Sequence, residues 1–84
     1  MVDPETLEQR IRAQMPDVEI VRIEDLTGTR DHYQAVVVSP SFATMSRVEQ
    51  HQAVYRALGE LMAGPVHALA LQTFTPEAWA KKNG

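Results

Sequence analysis

The stretch Gly64-Pro65-Val66-His67-Ala68-Leu69-Ala70-Leu71-Gln72-Thr73-Phe74-Thr75-Pro76-Glu77-Ala78-Trp79 carries three structural events in sixteen residues. A helix ends at Gly64-Pro65, because Gly accepts the left-handed conformation after a last turn and Pro cannot continue the hydrogen-bond ladder. A strand follows from Val66 to Phe74, with His67 near its start. Thr75 and Pro76 then open a second helix, Thr as N-cap and Pro at the first helical position, where its missing N–H is no loss. Trp79 sits one turn in, placed to fold back over what the strand covers.

Upstream of this stretch, Ser46-Arg47-Val48-Glu49 is a capping box, the Ser hydroxyl taking one free helix N–H and Glu49 reaching back to another. The helix it opens is expected to run to about Ala63, with Val48, His51, Tyr55, Leu58 and Met62 on one face and Val54 and Leu61 widening it. Before it, Val36-Val37-Val38 marks a dense strand from His32 to Ser39, central in its sheet and stopped by Pro40. Val18 to Asp25 forms another strand, whose mixed pattern predicts a bulge or partial burial on both faces. The six-residue loop between these two strands, Leu26 to Asp31 with Gly28 as its turn residue, predicts a hairpin. Asp3-Pro4 starts the first helix, Leu7, Ile11 and Met15 form its apolar stripe, and Pro16-Asp17 ends it.

The order is αββαβα, an α+β sandwich of three strands with helices packed on one side. The helical crossover before the last strand permits parallel pairing. Leu7, Ile11, Val36, Val54, Leu58, Leu61, Leu69, Leu71 and Trp79 are expected in one core.

The chain has 84 residues, a formal net charge of −3 at pH 7 and no cysteine. Residues 1–84 read as a single domain. Disulfides are impossible, and so is any site needing thiolates from this chain alone. No apolar run approaches the roughly 18 residues of a membrane span. The start, Met1-Val2-Asp3-Pro4, lacks a basic, apolar signal peptide. These features predict a cytoplasmic protein without membrane association.

Chemistry-bearing residues are few. On position alone, His51 reads as a packed histidine of the helix face, His67 as a half-buried strand histidine, and His32 as a solvated residue where the loop enters a strand. Ser39, Ser41 and Ser46 have no motif placing a base beside them, and Glu24 and Asp25 point to opposite faces of a strand. No Gly-rich phosphate loop is present. These features do not describe an enzyme. Arg47 and Arg56 could touch phosphate, yet Glu49 and Glu60 share their helix.

Taken together, Asp31-His32-Tyr33 leading into Val36-Val37-Val38-Ser39, then Phe42, Gln50-His51, His67-Ala68-Leu69, Thr73, Thr75-Pro76 and Trp79 resemble the BolA family over nearly the whole chain. The resemblance implies a fold similar to class II KH domains. It also implies a non-enzymatic role as heterodimeric partner of a monothiol glutaredoxin, sharing or transferring a [2Fe-2S] cluster in iron homeostasis. By resemblance, His67 matches the family's C-terminal histidine ligand and His32 its variable-loop ligand, both to iron of the shared cluster. His51 matches a family histidine not held to be a ligand. Such a cluster needs four ligands, usually thiolates. A chain offering two imidazoles cannot hold one by itself, whereas a glutaredoxin with glutathione would supply the thiolates.

The sequence departs from the family in having Phe42-Ala43-Thr44-Met45 and Gln50-His51-Gln52 where Phe-x-Gly-Lys and a basic stretch are frequent. It also lacks the Gly-x-x-Gly loop with which KH domains clamp nucleic acid. The alternative reading, a KH-like transcriptional regulator, needs a basic surface from Phe42 to Arg56, and this region is nearly neutral. A third reading is a plain structural domain with a zinc or no metal. Binding to DNA or RNA is accordingly expected to be weak and non-specific at physiological salt. A gel-shift titration checks this, and sub-micromolar, sequence-selective binding would contradict it.

Overall fold

The computed structural model describes residues 3–25, 32–63 and 68–83. Helix α1 (Pro4–Gln14) starts with Pro4 in its first turn, and the Asp3 carbonyl accepts from the N–H groups of Thr6 and Leu7. Leu7 and Ile11, one turn apart, are fully buried. Strands β1 (Ile20–Asp25) and β2 (His32–Val38) pair antiparallel in continuous register from Ile20↔Val38 to Asp25↔Tyr33. The bulge proposed for the first strand is therefore absent from the described pairing. Its mixed pattern reflects the other alternative, partial burial on both faces: Val21 and Ile23 face the core, Ile20 is half-buried on the other face, and Val18 is buried just before the strand begins.

A 3₁₀ turn (Pro40–Thr44) follows β2 and buries Phe42. Helix α2 (Arg47–Leu58) then opens on the expected capping box. The Glu49 N–H donates to the Ser46 hydroxyl at 3.2 Å, and the Ser46 N–H donates to the Glu49 carboxylate at 2.8 Å. This helix does not continue to Ala63. It stops at Gly59, whose φ of 56° and ψ of −129° suit a residue without Cβ, and a separate turn, α3 (Glu60–Ala63), follows. Residues 64–67, including the expected Gly64-Pro65 stop, lie outside the described residues. So do residues 26–31 of the loop between β1 and β2.

Strand β3 (Ala68–Phe74) runs parallel to β2, from His32↔Ala68 to Val38↔Phe74, giving a mixed sheet of order β1-β2-β3 with β2 central. Helix α4 (Pro76–Asn83) is capped by the Thr75 hydroxyl, which accepts from the Ala78 N–H at 3.2 Å. The α+β order matches the sequence reading, but the helices do not all pack on one side: α1 and α2 cover the face of Val21 and Val37, and Trp79 of α4 lies on the other face beside Val36 and Gln72.

The core lies between the sheet and the pair α1 and α2. Leu7, Ile11, Val21, Tyr33, Val37, Phe42, Val54 and Leu58 form it, with Leu61, Leu69 and Leu71 packed against it. Two expected members are elsewhere. Val36 and Trp79 are half-buried and face each other across the opposite side of the sheet, alongside Arg22 and Gln72. Side chains alternate along a strand, so in Val36-Val37-Val38 one residue must face away from its neighbour, and Val37 takes the inner side.

The α2 face also differs from expectation. Val48 is 66% exposed and Tyr55 38% exposed, whereas Val54, Ala57 and Leu58 are buried. The buried stripe runs through Gln50, Ala53, Val54, Ala57 and Leu58. Its small alanines, Ala53 and Ala57, lie beside the end of α1, lining one groove with Gln14 and Met15, and Gln50 enters the stripe because its amide is hydrogen-bonded there. Leu58→Ala is expected to destabilise the fold by about 2–5 kcal/mol, and Val48→Ala by no more than about 0.5 kcal/mol. Urea unfolding of the two variants checks the orientation of α2.

Candidate functional site

His32 is the first residue of β2, and its Cα partner is Ala68, the first residue of β3 and the one after His67 in sequence. Parallel pairing starts both strands at the same end of the sheet. The His32 ring and the whole of His67 lie outside what the structure describes. Among the described residues, no group of three or more His, Cys, Asp and Glu side chains could hold a metal ion.

At the other end of β3, α2 is tied to the sheet by one amide. The Gln50 Nε2 group donates to the carbonyls of Phe42, at 3.1 Å, and Met45, at 3.2 Å. Its Oε1 atom accepts from the Thr73 hydroxyl at 2.6 Å. One side chain thus joins the 3₁₀ turn, the start of α2 and the edge strand. Ser39, fully buried at the end of β2, makes a second polar junction. Its hydroxyl donates to the Asp17 carboxylate at 3.2 Å, lies 2.9 Å from the Ser41 hydroxyl and accepts from the Ser41 N–H at 3.3 Å. Among the described residues, no buried side-chain nitrogen or oxygen lacks a partner.

His51 is half-exposed beside β3 and meets the Tyr55 ring edge-on, with centroids 6.4 Å apart. It was expected on the buried face and is displaced from it by the same rotation of α2 that exposes Tyr55. On the opposite side of the sheet, the Arg22 guanidinium stands over Trp79 at 5.4 Å. Trp79 leans on Phe74 at 5.2 Å, and the Lys82 ammonium covers Phe74 at 5.7 Å. Each exposed cation–π contact is worth about 0.5–1 kcal/mol, so this stack helps hold α4 against the sheet.

Sequence reasoning cited Gln50 and Thr73 only as parts of a resemblance and missed their bond. The available signal was a glutamine one turn before Val54, on the helix stripe that faces the valine-rich strand.

A central antiparallel hairpin, a parallel third strand reached through a helical crossover, and histidines at or before the matched strand starts define a small α+β domain of one recognisable class. The model of the BolA-like protein family matches residues 3–78, and the chain belongs to that family. Over 56 residues it is 41% identical to the DNA-binding transcriptional regulator BolA of Haemophilus influenzae, covering 67% of this chain and 54% of that protein. Over 52 residues it is 48% identical to BolA-like protein 1 of Mus musculus, covering 62% of this chain and 38% of that protein. These matches span about half or less of the relatives' own lengths. A bolA protein homologue from Coxiella burnetii superposes with a TM-score of 0.81 at 31% identity, covering 95% of this chain and 99% of that one. Among the described residues, no helix is long and apolar enough to cross a membrane.

Gln50→Ala would remove the Gln50 bonds to the Met45 carbonyl and the Thr73 hydroxyl, and would leave the Phe42 carbonyl only the Met45 N–H. It is expected to cost about 1–3 kcal/mol, against about 0.5–1.5 kcal/mol for Thr73→Val, which removes a single bond. Denaturant titration of both variants measures the difference.

Proposed function

We propose that this chain is a non-enzymatic partner of a monothiol glutaredoxin, and that the heterodimer shares a [2Fe-2S] cluster or passes it on. Three facts support the reading: membership of the BolA-like family, the absence of cysteine from the chain, and the register His32↔Ala68. The register carries most weight. It sets the start of β2 level with Ala68, the residue that follows His67 in sequence. A donor set of two imidazoles and no thiolate fits half of a shared cluster and not a whole one.

In this reading, His67 and His32 are the iron ligands from this chain, and the glutaredoxin and glutathione supply thiolates. The cluster, when bound, supplies the redox-active and transferable cargo. The chain's own contribution in this reading is two imidazoles, His32 and His67. His67 is the principal ligand, because it adjoins the strand that α2 holds through Thr73. His32, which follows the loop of residues 26–31, is the adjustable one, since a ligand on a rigid element is placed more precisely than one on a loop. The setting proposed is the cytoplasm, in iron homeostasis.

A second reading, a nucleic-acid-binding regulator, draws on the Haemophilus influenzae relative, a DNA-binding transcriptional regulator. The chain's net charge of −3 weighs against it.

Mixing the protein with cluster-loaded glutaredoxin and recording visible circular dichroism tests the proposal. His67→Ala is expected to remove the shared-cluster spectrum while leaving the cluster-free heterodimer intact. His32→Ala is expected to change the spectrum or shorten its lifetime. A wild-type spectrum from the His67 variant would refute its assignment, and loss in the His32 variant alone would reverse the ranking.

A further inference from the structure

The outer edge of β3 is open. The strand order leaves it at the margin of the sheet, with no strand pairing beyond it among the described residues. The direction of its backbone can be read from one bond. The Phe74 carbonyl accepts from the Ser39 N–H at 3.1 Å, so Phe74 turns its polar backbone toward β2. In a strand, the N–H and C=O of one residue point to the same side, and the side alternates from residue to residue. Gln72 therefore also faces β2, and Leu71 and Thr73 direct their N–H and C=O groups toward the free edge.

That edge opens into a groove of about 230 Å³ between α2 and α4, lined by Arg47, His51, Leu71, Thr73, Phe74 and Lys82 among others. Arg47 and Lys82 stand on opposite walls, both exposed, and among the described residues no aspartate or glutamate lines the groove. The local charge is thus opposite in sign to that of the whole chain, at −3. Edge strands with free donors and acceptors are templates for another strand, and proteins commonly blunt them by covering or charging them. Here basic side chains flank the edge and leave its backbone open.

We infer that the β3 edge is a docking site for an extended acidic peptide segment of a partner protein, added as a fourth strand beside Leu71 and Thr73. The peptide's main chain would bond the outward N–H and C=O groups, and its carboxylates would meet Arg47 and Lys82 on the two walls. A nucleic acid could use the same charges. It has no backbone that matches donors and acceptors on alternate strand residues, so a peptide fits both features and a nucleic acid only one. The inference does not depend on any cluster.

The probe is an acetylated, amidated peptide of alternating glutamate and valine, titrated into the intact protein with backbone amide exchange followed by NMR. Protection of the Leu71 and Thr73 amides is expected to rise at saturation, with no comparable change in β1. The same peptide with lysine in place of glutamate is expected not to bind. Charge reversal at the two walls, Arg47→Glu with Lys82→Glu, is expected to weaken binding about tenfold. Lys81→Glu, on the same helix but outside the groove lining, is expected to change it by less than about twofold. Circular dichroism verifies that each variant is folded, and the wild-type titration is decisive by itself. Unchanged exchange at Leu71 and Thr73, equal binding of the lysine peptide, or an equal effect of Lys81→Glu would overturn the proposal. Tighter binding of a short oligothymidylate at the same residues would overturn it in favour of a nucleic-acid surface.

Discussion

The parallel pairing of β2 with β3 is the constraint on which the other elements depend. Two adjacent parallel strands start at the same end of a sheet, so the chain must travel back along its whole length between them. The 3₁₀ turn, α2 and α3 make that return, and their course along one face brings the apolar residues of α2 over Val21, Tyr33 and Val37. β2, bonded on both sides, is the valine-rich strand and the centre of the core. The same pairing sets His32 opposite the residue after His67. Architecture and candidate site thus follow from one topological choice.

Burial alone would leave α2 free to slide along the sheet, because its inner surface is built largely of alanine, valine and leucine. The Gln50 amide removes that freedom. Its three partners lie on the 3₁₀ turn, on the residue before the α2 cap and on β3, and their positions are mutually compatible at one register. Ser39 does the same for the end of β2, joining it to Asp17 and Ser41. A satisfied polar group in a core is directional where apolar packing is not. These two junctions specify where the crossover sits as well as helping to hold it there.

Much of this was readable from residues with a single physical use. Thr75-Pro76, the Ser46–Glu49 box and the valine run announced a helix start, another helix start and a central strand, and all three are present. The errors share one origin. Choosing the buried face of α2 by hydrophobicity favoured Val48 and Tyr55 over Gln50 and Ala57, because periodicity counts apolar residues and ignores a polar side chain whose bonds are met by distant segments. Val36 was assigned to the core as part of the valine run and Trp79 as folding back over the strand, although strand alternation and the position of α4 put them on the second face. Gly59 broke a helix that Leu61 and Met62 prolong in pattern. The chemistry of the site was readable only as a resemblance, since two histidines and no cysteine spell no site by themselves. What the structure adds is the register between the strands that those histidines introduce.

The mixed sheet also imposes an order of assembly. β1 ends at Asp25 and β2 begins at His32, so the hairpin closes over a short connection, with α1 next to it in the chain. Pairing β3 with β2 closes the whole crossover into one long loop, and contacts of large sequence separation form against the greatest loss of chain entropy. During synthesis the N-terminal hairpin emerges first and the C-terminal strand last. Until β3 arrives, Tyr33 and Val37 belong to a two-stranded sheet whose second margin is bare. The Arg22–Trp79–Phe74–Lys82 stack then acts as a latch, since it forms only when α4 has closed behind the final strand.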